Sequence, residues 1–437
     1  MKSLLIKDGR IIDPGQGVDE RGSLLLSEGK IVWRGVTPPQ TDYDILYAEG
    51  MVVCPGFIDM HCHLRQPGFE EKETIATGTR AAARGGFTTV CGMPNTSPPL
   101  DSKTTIDYIK SEAEKSSAIR VLPIGCVTRG RKGEELADMV ALARAGVIGF
   151  SDDGSPVKNP DLMRQALEKG RELGLPVIDH CEEPSLTEGG QMNEGALAER
   201  LGLRGIPPAS EEIMVSRDIM LARMTGGHVH IAHVSTAGAV ALIRDGKRQG
   251  VRVTAEVTPH HLTLTEEECN GYNTNAKVSP PLRTRRDNQS LIRGLKDGVI
   301  DIIATDHAPH ARSDKECDFT KAACGISNFE TALGSLLIPV HSGQITLNML
   351  IARLTCEPAK LLKHELLGTL KIGAPADITI FDPYKEWTVE PEAFASKGKN
   401  TPLAGRVLKG RAMATIYGGK LVYKDDSIKF IGGEVDK

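Results

Sequence analysis

Two histidines spaced by one residue, His61 and His63, close the stretch 51–65, where an apolar run leads straight into them. Alternate side chains on a strand share a face, so these two imidazoles can hold one metal ion while Cys62 points the other way. Residues of the same chemical type recur farther along, each just past a short apolar run: Asp152-Asp153-Gly154, Asp179-His180, His233 and Asp306-His307. Imidazole nitrogens with carboxylate oxygens suit zinc, or another borderline first-row ion, better than magnesium or calcium. Four histidines exceed what one catalytic ion with an open position takes, so the set fits a pair. His61 and His63 are expected on the first ion, His180 and His233 on the second, and Asp152 or Asp153 between them. Two ions held this way share a hydroxide that is nucleophilic at neutral pH and polarise a carbonyl. Asp306 is expected beside the first ion, placed to take and return a proton.

The elements that must present these residues follow from the same spacing. Between residues 54 and 365, short apolar strands are expected at 57–59, 88–91, 120–124, 147–150, 176–178, 228–231, 251–255 and 302–304, separated by helix-length segments. Eight such units imply an α/β chain folded as a (β/α)8 TIM-type barrel, whose catalytic groups gather at the carboxyl ends of the strands. Each of the candidate residues falls at such an end. The two chain ends have a different texture, with short strands and Gly turns at 4–6, 11–12, 23–26 and 30–33, and again at 377–381, 414–417 and 420–423. Residues 1–53 and 366–437 are therefore expected to pair into one small β-sandwich beside the barrel of residues 54–365.

Composition narrows the partners. A net charge of -4 argues against a nucleic-acid partner, which needs a basic face. The amino terminus lacks the apolar core and cleavage site of a signal peptide, and no window reaches transmembrane length, so a cytoplasmic protein with no membrane partner is expected. Nine cysteines, an odd number without a CxxC pair, read as reduced thiols, and Cys54, Cys91 and Cys181 as buried structural ones. His228 and His230 alternate with apolar residues and read as core or supporting groups, His260 and His261 as supporting or helix-capping groups, and His341 and His364 as helix residues far from any strand end. None of these six enters the expected site.

The motifs Pro55-Gly56-Phe57-Ile58-Asp59-Met60-His61-Cys62-His63-Leu64-Arg65, Gly92-Met93-Pro94-Asn95-Thr96, Asp152-Asp153-Gly154, Asp179-His180-Cys181-Glu182, Ile231-Ala232-His233-Val234-Ser235-Thr236, Thr258-Pro259-His260-His261-Leu262 and Ala304-Thr305-Asp306-His307-Ala308-Pro309-His310 together resemble class I dihydroorotase of the amidohydrolase superfamily, over nearly the whole chain. The resemblance implies reversible cyclisation of N-carbamoyl-L-aspartate to L-dihydroorotate in de novo pyrimidine (UMP) biosynthesis, by a metal-bound hydroxide. It implies two zinc ions per chain, held by His61, His63, Asp153, His180, His233 and Asp306, with Asp306 as the general acid and base. It also decides for Asp153 over Asp152 as the bridge. His63, Arg65, Asn95 and His310 match substrate contacts, and an Arg fork with an amide and an imidazole suits a small carboxylate substrate. Two departures stand out. Ser279 occupies a position where the family commonly has Asn, and Ala323-Cys324-Gly325 replaces a Pro-Phe-Gly segment, so backbone contacts at Cys324 and Gly325 are expected to persist without the aromatic packing. A homo-oligomer and an aspartate transcarbamoylase partner are further implications, and the length and polarity of 312–319 fit a substrate lid.

Rival readings are another cyclic amidase (hydantoinase, dihydropyrimidinase or allantoinase) and a non-catalytic dihydroorotase-like scaffold. The former typically bridge their metals with a carboxylated lysine on the fourth strand, and 147–153 contains no lysine. The latter lack metal ligands, whereas here every ligand position is filled.

Overall fold

The computed structural model describes residues 3–432; the first two and last five residues of the expected sandwich lie outside that range. Eight strands form the barrel: β1 (Phe57–Cys62), β2 (Phe87–Gly92), β3 (Arg120–Pro123), β4 (Phe150–Ser151), β5 (Val177–Asp179), β6 (Val229–Ile231), β7 (Val253–Val257) and β8 (Ile302–Ile303). β1 to β3 pair in parallel, as do β4 to β8, and the bridges Gly125↔Phe150 and Cys62↔His307 join the two arcs into a closed ring. All eight expected runs supply a strand; β4 starts three residues later than expected and β7 two residues later. Before β7, Val251 still belongs to the preceding helix end. Its N–H bonds Gly246 O and the Gly250 N–H bonds Lys247 O, with Gly250 at φ 75°, a Schellman closure that uses the apolar residue as its anchor.

The chain ends form one connected nine-stranded sheet wrapped around its own core of Leu4, Ile6, Ile11, Leu24, Ile31, Val53, Ile378, Ile380 and Ile416. The pairing Ile378↔Pro55 joins the two ends, and the strand Val52–Pro55 carries the sheet two residues past 53. The separate runs 4–6 and 11–12 are one strand, Ser3–Asp13, because Asp8-Gly9 makes a bulge and not a turn. Asp8 has φ 60°, and a Cβ on Gly9 would meet Val53 Cγ2 at 2.5 Å. Phe381, Phe57, Phe87 and Phe329 pack edge-on or tilted in a chain with centroids 5.6–6.2 Å apart and lock the sheet to the barrel. Between the strands Ile378–Thr388 and Val407–Tyr417 the chain leaves the sheet, and residues 395–400 bond to barrel residues behind the catalytic end. The 366–437 segment is thus not a sandwich throughout.

Candidate active site

β1 delivers His61 and His63 to the mouth of the barrel. His61 is fully buried; its Nδ1 donates to Glu256 Oε1 on β7 at 2.5 Å, which leaves Nε2 facing Asp153 Oδ1 at 3.3 Å. His63 places Nδ1 2.9 Å from Asn95 Oδ1 and Nε2 3.0 Å from Asp306 Oδ1. From β5, His180 sets Nδ1 2.9 Å from His233 Nε2, and its Nε2 donates to Glu182 Oε2 at 2.8 Å. Asp153 lies among them all: Oδ1 is 3.5 Å from His233 Nε2 and 3.7 Å from His180 Nδ1, and Oδ2 is 3.5 Å from His63 Nε2. Asp152 turns the other way, where its carboxylate takes the Val127 and Thr128 N–H groups and the Thr128 hydroxyl. Of the two adjacent carboxylates, one builds the β3–β4 loop contact and the other faces the histidines.

Charge and desolvation pull hard on this cluster. Burial opposes ionisation of Asp153, yet His61, His180 and His233 outweigh it and hold the group well below the usual carboxylate range. Asp306 follows the same logic, with burial opposed by His63, His61 and His233, and is likewise held low. Burial works against a charged His180, but Asp153 and Glu182 push it up to about 10. Two buried atoms, His61 Nε2 and Asp153 Oδ1, face each other without a hydrogen-bond partner. With the His61 proton on Nδ1 both atoms present lone pairs, and two acceptors buried face to face are costly unless a cation satisfies them together. His61, His63 and Asp306, and again His61, Asp153 and His233, bring ligand atoms within 4.8 Å of one another. The donor set and its unsatisfied atoms fit a metal cofactor. A third group, Asp179, Cys181 and Asp218, is closed off by Arg217, which reaches Asp179 at 3.3 Å and Asp218 at 2.7 Å.

Above the cluster lies a cavity of about 320 Å³, lined by His63, Arg65, Asn95, Asp153, His180, His233, Ser279, Asp306, His310, Cys324 and Gly325, with Gly154, Val278 and Ala308. Every metal-ligand and substrate-contact residue expected from the family resemblance lines it except the fully buried His61. Arg65 Nε donates to Pro309 O at 3.1 Å and Nη2 lies 3.3 Å from His310 Nε2. Burial, then Arg65 and Lys315, push His310 down to about 3, so it is a neutral imidazole. Ser279 does not point freely into the cavity, because its hydroxyl donates to Glu182. The expected lid is pinned, since buried Lys315 donates to Thr274 O, Lys277 O and Ala323 O, and Phe319 is buried against Lys277. Among the supporting histidines, His230 donates to Glu256 at 3.1 Å and His261 lies 3.0 Å from Pro280 O, while His341 and His364 are exposed. All nine cysteines are free. Two groups that touch the ligand histidines were missed by sequence reasoning: Glu182, whose signal was its i, i+2 spacing from His180, and Glu256, a lone acid inside a buried strand.

A dihydro-orotase-like family model matches residues 50–239. The chain is 52% identical over 427 residues to a dihydroorotase of Pelotomaculum thermopropionicum, spanning 98% of this chain and 100% of that one. A dihydroorotase of Aquifex aeolicus is 48% identical over 428 residues, with 97% and 100% covered. The chain belongs to the dihydroorotase family. Solved structures similar to this dihydroorotase family member include an L-hydantoinase (dihydropyrimidinase) from Arthrobacter aurescens, TM-score 0.88 at 24% identity over 98% of each chain. A dihydropyrimidinase from Brevibacillus agri gives 0.84 at 24% identity over 98% of this chain and 96% of that one. At that identity the likeness is one of fold. Dihydroorotase-family membership makes the chain a cyclic amide hydrolase with a metal cofactor. Among the described residues no helix is long and apolar enough to cross a membrane.

Proposed function

We propose that the chain interconverts N-carbamoyl-L-aspartate and L-dihydroorotate. The observation that carries the reading is Asp153, a carboxylate and not a lysine, set between the two histidine pairs on the floor of the cavity that Arg65 and His310 enter. His61, His63 and Asp306 would hold one zinc ion, His180 and His233 a second, with Asp153 shared between them. Bound zinc would supply Lewis-acid polarisation of the reacting carbonyl and a water activated at neutral pH.

The chain's own residues do the rest. Asp306, ionised and 3.0 Å from His63 Nε2, takes the proton from the carbamoyl nitrogen during ring closure and returns it to the ring nitrogen during opening. Arg65, with Asn95 and neutral His310, receives the substrate carboxylate; a guanidinium fork gives that group both charge and direction. Cys324 and Gly325 line the same cavity. Ser279 lines the cavity and gives its hydroxyl proton to Glu182, through which it also supports His180.

The reading includes a cytoplasmic location, a homo-oligomeric state and an aspartate transcarbamoylase partner. An exposed apolar stripe of Ile213, Met220 and Met224 on the helix Ala209–Thr225 supports self-association, which sedimentation of the purified chain with and without the transcarbamoylase tests. The substrate test is hydrolysis of dihydroorotate beside dihydrouracil, hydantoin and allantoin, with zinc counted per chain. Preference for dihydroorotate is expected, and faster turnover of any of the other three overturns the assignment.

A further inference from the structure

The segment that leaves the terminal sheet ends at a side chain that the substrate clamp depends on. Asn400 is 3% exposed, and its amide makes four hydrogen bonds. Oδ1 accepts the His310 N–H at 2.9 Å and the Ser327 hydroxyl at 2.8 Å. Nδ2 donates to Ala308 O and to Gly325 O, both at 3.0 Å. One planar group therefore ties the loop after β8, which carries Ala308 to His310, to the later loop that carries Gly325. No other single side chain among the described residues bonds both loops and comes from outside the barrel.

The segment reaches this point by close approach. Ala395 and Ser396 N–H groups bond Glu330, and the Ser396 hydroxyl donates to Glu73 Oε2 at 2.5 Å. At Gly398 a Cβ would fall 2.4 Å from Pro309 Cβ, so the chain can press on the clamp only without a side chain there. Pro309 in turn offers its carbonyl to Arg65 Nε at 3.1 Å, and His310 stands 3.3 Å from Arg65 Nη2.

We infer that Asn400 is a positioning residue for the substrate carboxylate, holding His310, Gly325 and through Pro309 the Arg65 guanidinium in one geometry from the terminal unit. It touches neither the reacting atoms nor the metal-ligating residues. Its loss should therefore weaken substrate capture and leave the chemical step and the metal content alone. The ligand class rests on the function proposed above, but the positioning does not, so the two are tested separately.

The experiment compares wild type with Asn400→Ala and with Asn400→Asp, which keeps both acceptor contacts and loses both donor contacts. With dihydroorotate, KM is expected to rise at least tenfold in either variant, with kcat within threefold and metal per chain unchanged. Hydrogen–deuterium exchange on the full chain without substrate is expected to speed up in the peptides spanning 308–325 and not in those spanning β1 or β5. Wild-type exchange across 308–325 in the folded variants overturns the inference whatever the substrate proves to be. So does a fall in kcat together with metal content at unchanged KM. A wild-type chain inert toward dihydroorotate would sink the substrate assignment while leaving the exchange result to decide the role of Asn400.

Discussion

Glu256→Gln is the sharpest probe of how the metal-competent histidines are held. Glu256 is fully buried and serves three donors: Oε1 takes His61 Nδ1–H at 2.5 Å and the His233 N–H at 3.2 Å, and Oε2 takes His230 Nε2–H at 3.1 Å. Burial opposes its charge, but His61 and His230 hold it down to about 2, so it acts as a full carboxylate. Glutamine keeps one acceptor. If its NH2 faces His61, either two N–H groups confront each other or the imidazole shifts its proton to Nε2, the nitrogen aimed at Asp153. If the NH2 faces His230, His61 keeps its tautomer but exchanges a charge-assisted bond for a neutral one. A charged bond is worth about 1.5–3 kcal/mol and a neutral one about 1 kcal/mol, so the loss with one strained contact is about 1.5–2.5 kcal/mol. At about 1.4 kcal/mol per factor of ten, zinc affinity should weaken about 10- to 60-fold, in line with outer-shell substitutions elsewhere. Competition of the purified variant against a zinc chelator of known affinity measures this directly. A folded variant whose zinc Kd stays within twofold of wild type would show that Glu256 does not orient His61.

Three further outcomes are expected. Asp306→Ala should retain the fold and most of the metal while kcat drops about 10²- to 10⁴-fold, the usual range for a lost acid/base; near-normal turnover would remove the residue from that role. Asp153→Ala should lower metal per chain by elemental analysis, and undiminished metal would count against its position between the histidine pairs. His228 is buried, and that burial, aided by His230 and Arg252, pushes it down to about 4, against about 6.5 in an unfolded chain. Between those values the unfolded state binds the extra proton, so stability is full above about pH 6.5 and falls as the pH drops toward 4, by at most about 3 kcal/mol. In His228→Asn the difference in thermal midpoint between pH 7 and pH 4.5 should shrink, and an equal or larger difference would refute the sign.

The barrel was legible because its strands are buried on both faces and read as unbroken apolar runs, and because its chemistry collects at strand ends in register with them. His61, His63, Asp153, His180, His233 and Asp306 could be gathered from that rule before any distance was known, apart from the choice between Asp152 and Asp153. That choice turns on which carboxylate the Thr128 loop captures, a contact between residues 24 apart that no local pattern carries. Glu256 had a signal, since an acid between Ala255 and Val257 in a buried strand must be paired. Asn400 had none. It lies 90 residues from His310, in a loop whose sequence says nothing about where it lands. Asp8-Gly9 reads as a turn in the sequence because the same dipeptide serves in turns and bulges alike, and only the pressure of Val53 on Gly9 separates them.

The ends of β1, β6 and β8 share one backbone device. Arg65, His233 and Asp306 have φ of 62°, 32° and 45°, a left-handed region that costs a residue with a side chain about 1–3 kcal/mol. Such turns persist only where their surroundings over-determine them. At His233, Glu256 does so twice, its carboxylate accepting the His233 N–H and its own carbonyl accepting the Val234 N–H at 2.9 Å. At Asp306 the Thr305 hydroxyl accepts the His307 N–H at 3.0 Å and donates to Asp59 Oδ2 at 2.6 Å, while Asp59 Oδ1 takes the Thr305 N–H at 2.7 Å. Asp59 also accepts the His61 N–H at 3.4 Å, so one carboxylate on β1 ties the strand at His61 to the bend at Asp306. The buried acids Asp59 and Glu256 thus do for the backbone what His63 and Asp153 do for the chemistry. A barrel whose strands simply ran out into loops could present the same six side chains, but without these backbone ties nothing would hold His61, His63 and Asp306, or His61, Asp153 and His233, with ligand atoms within 4.8 Å of one another.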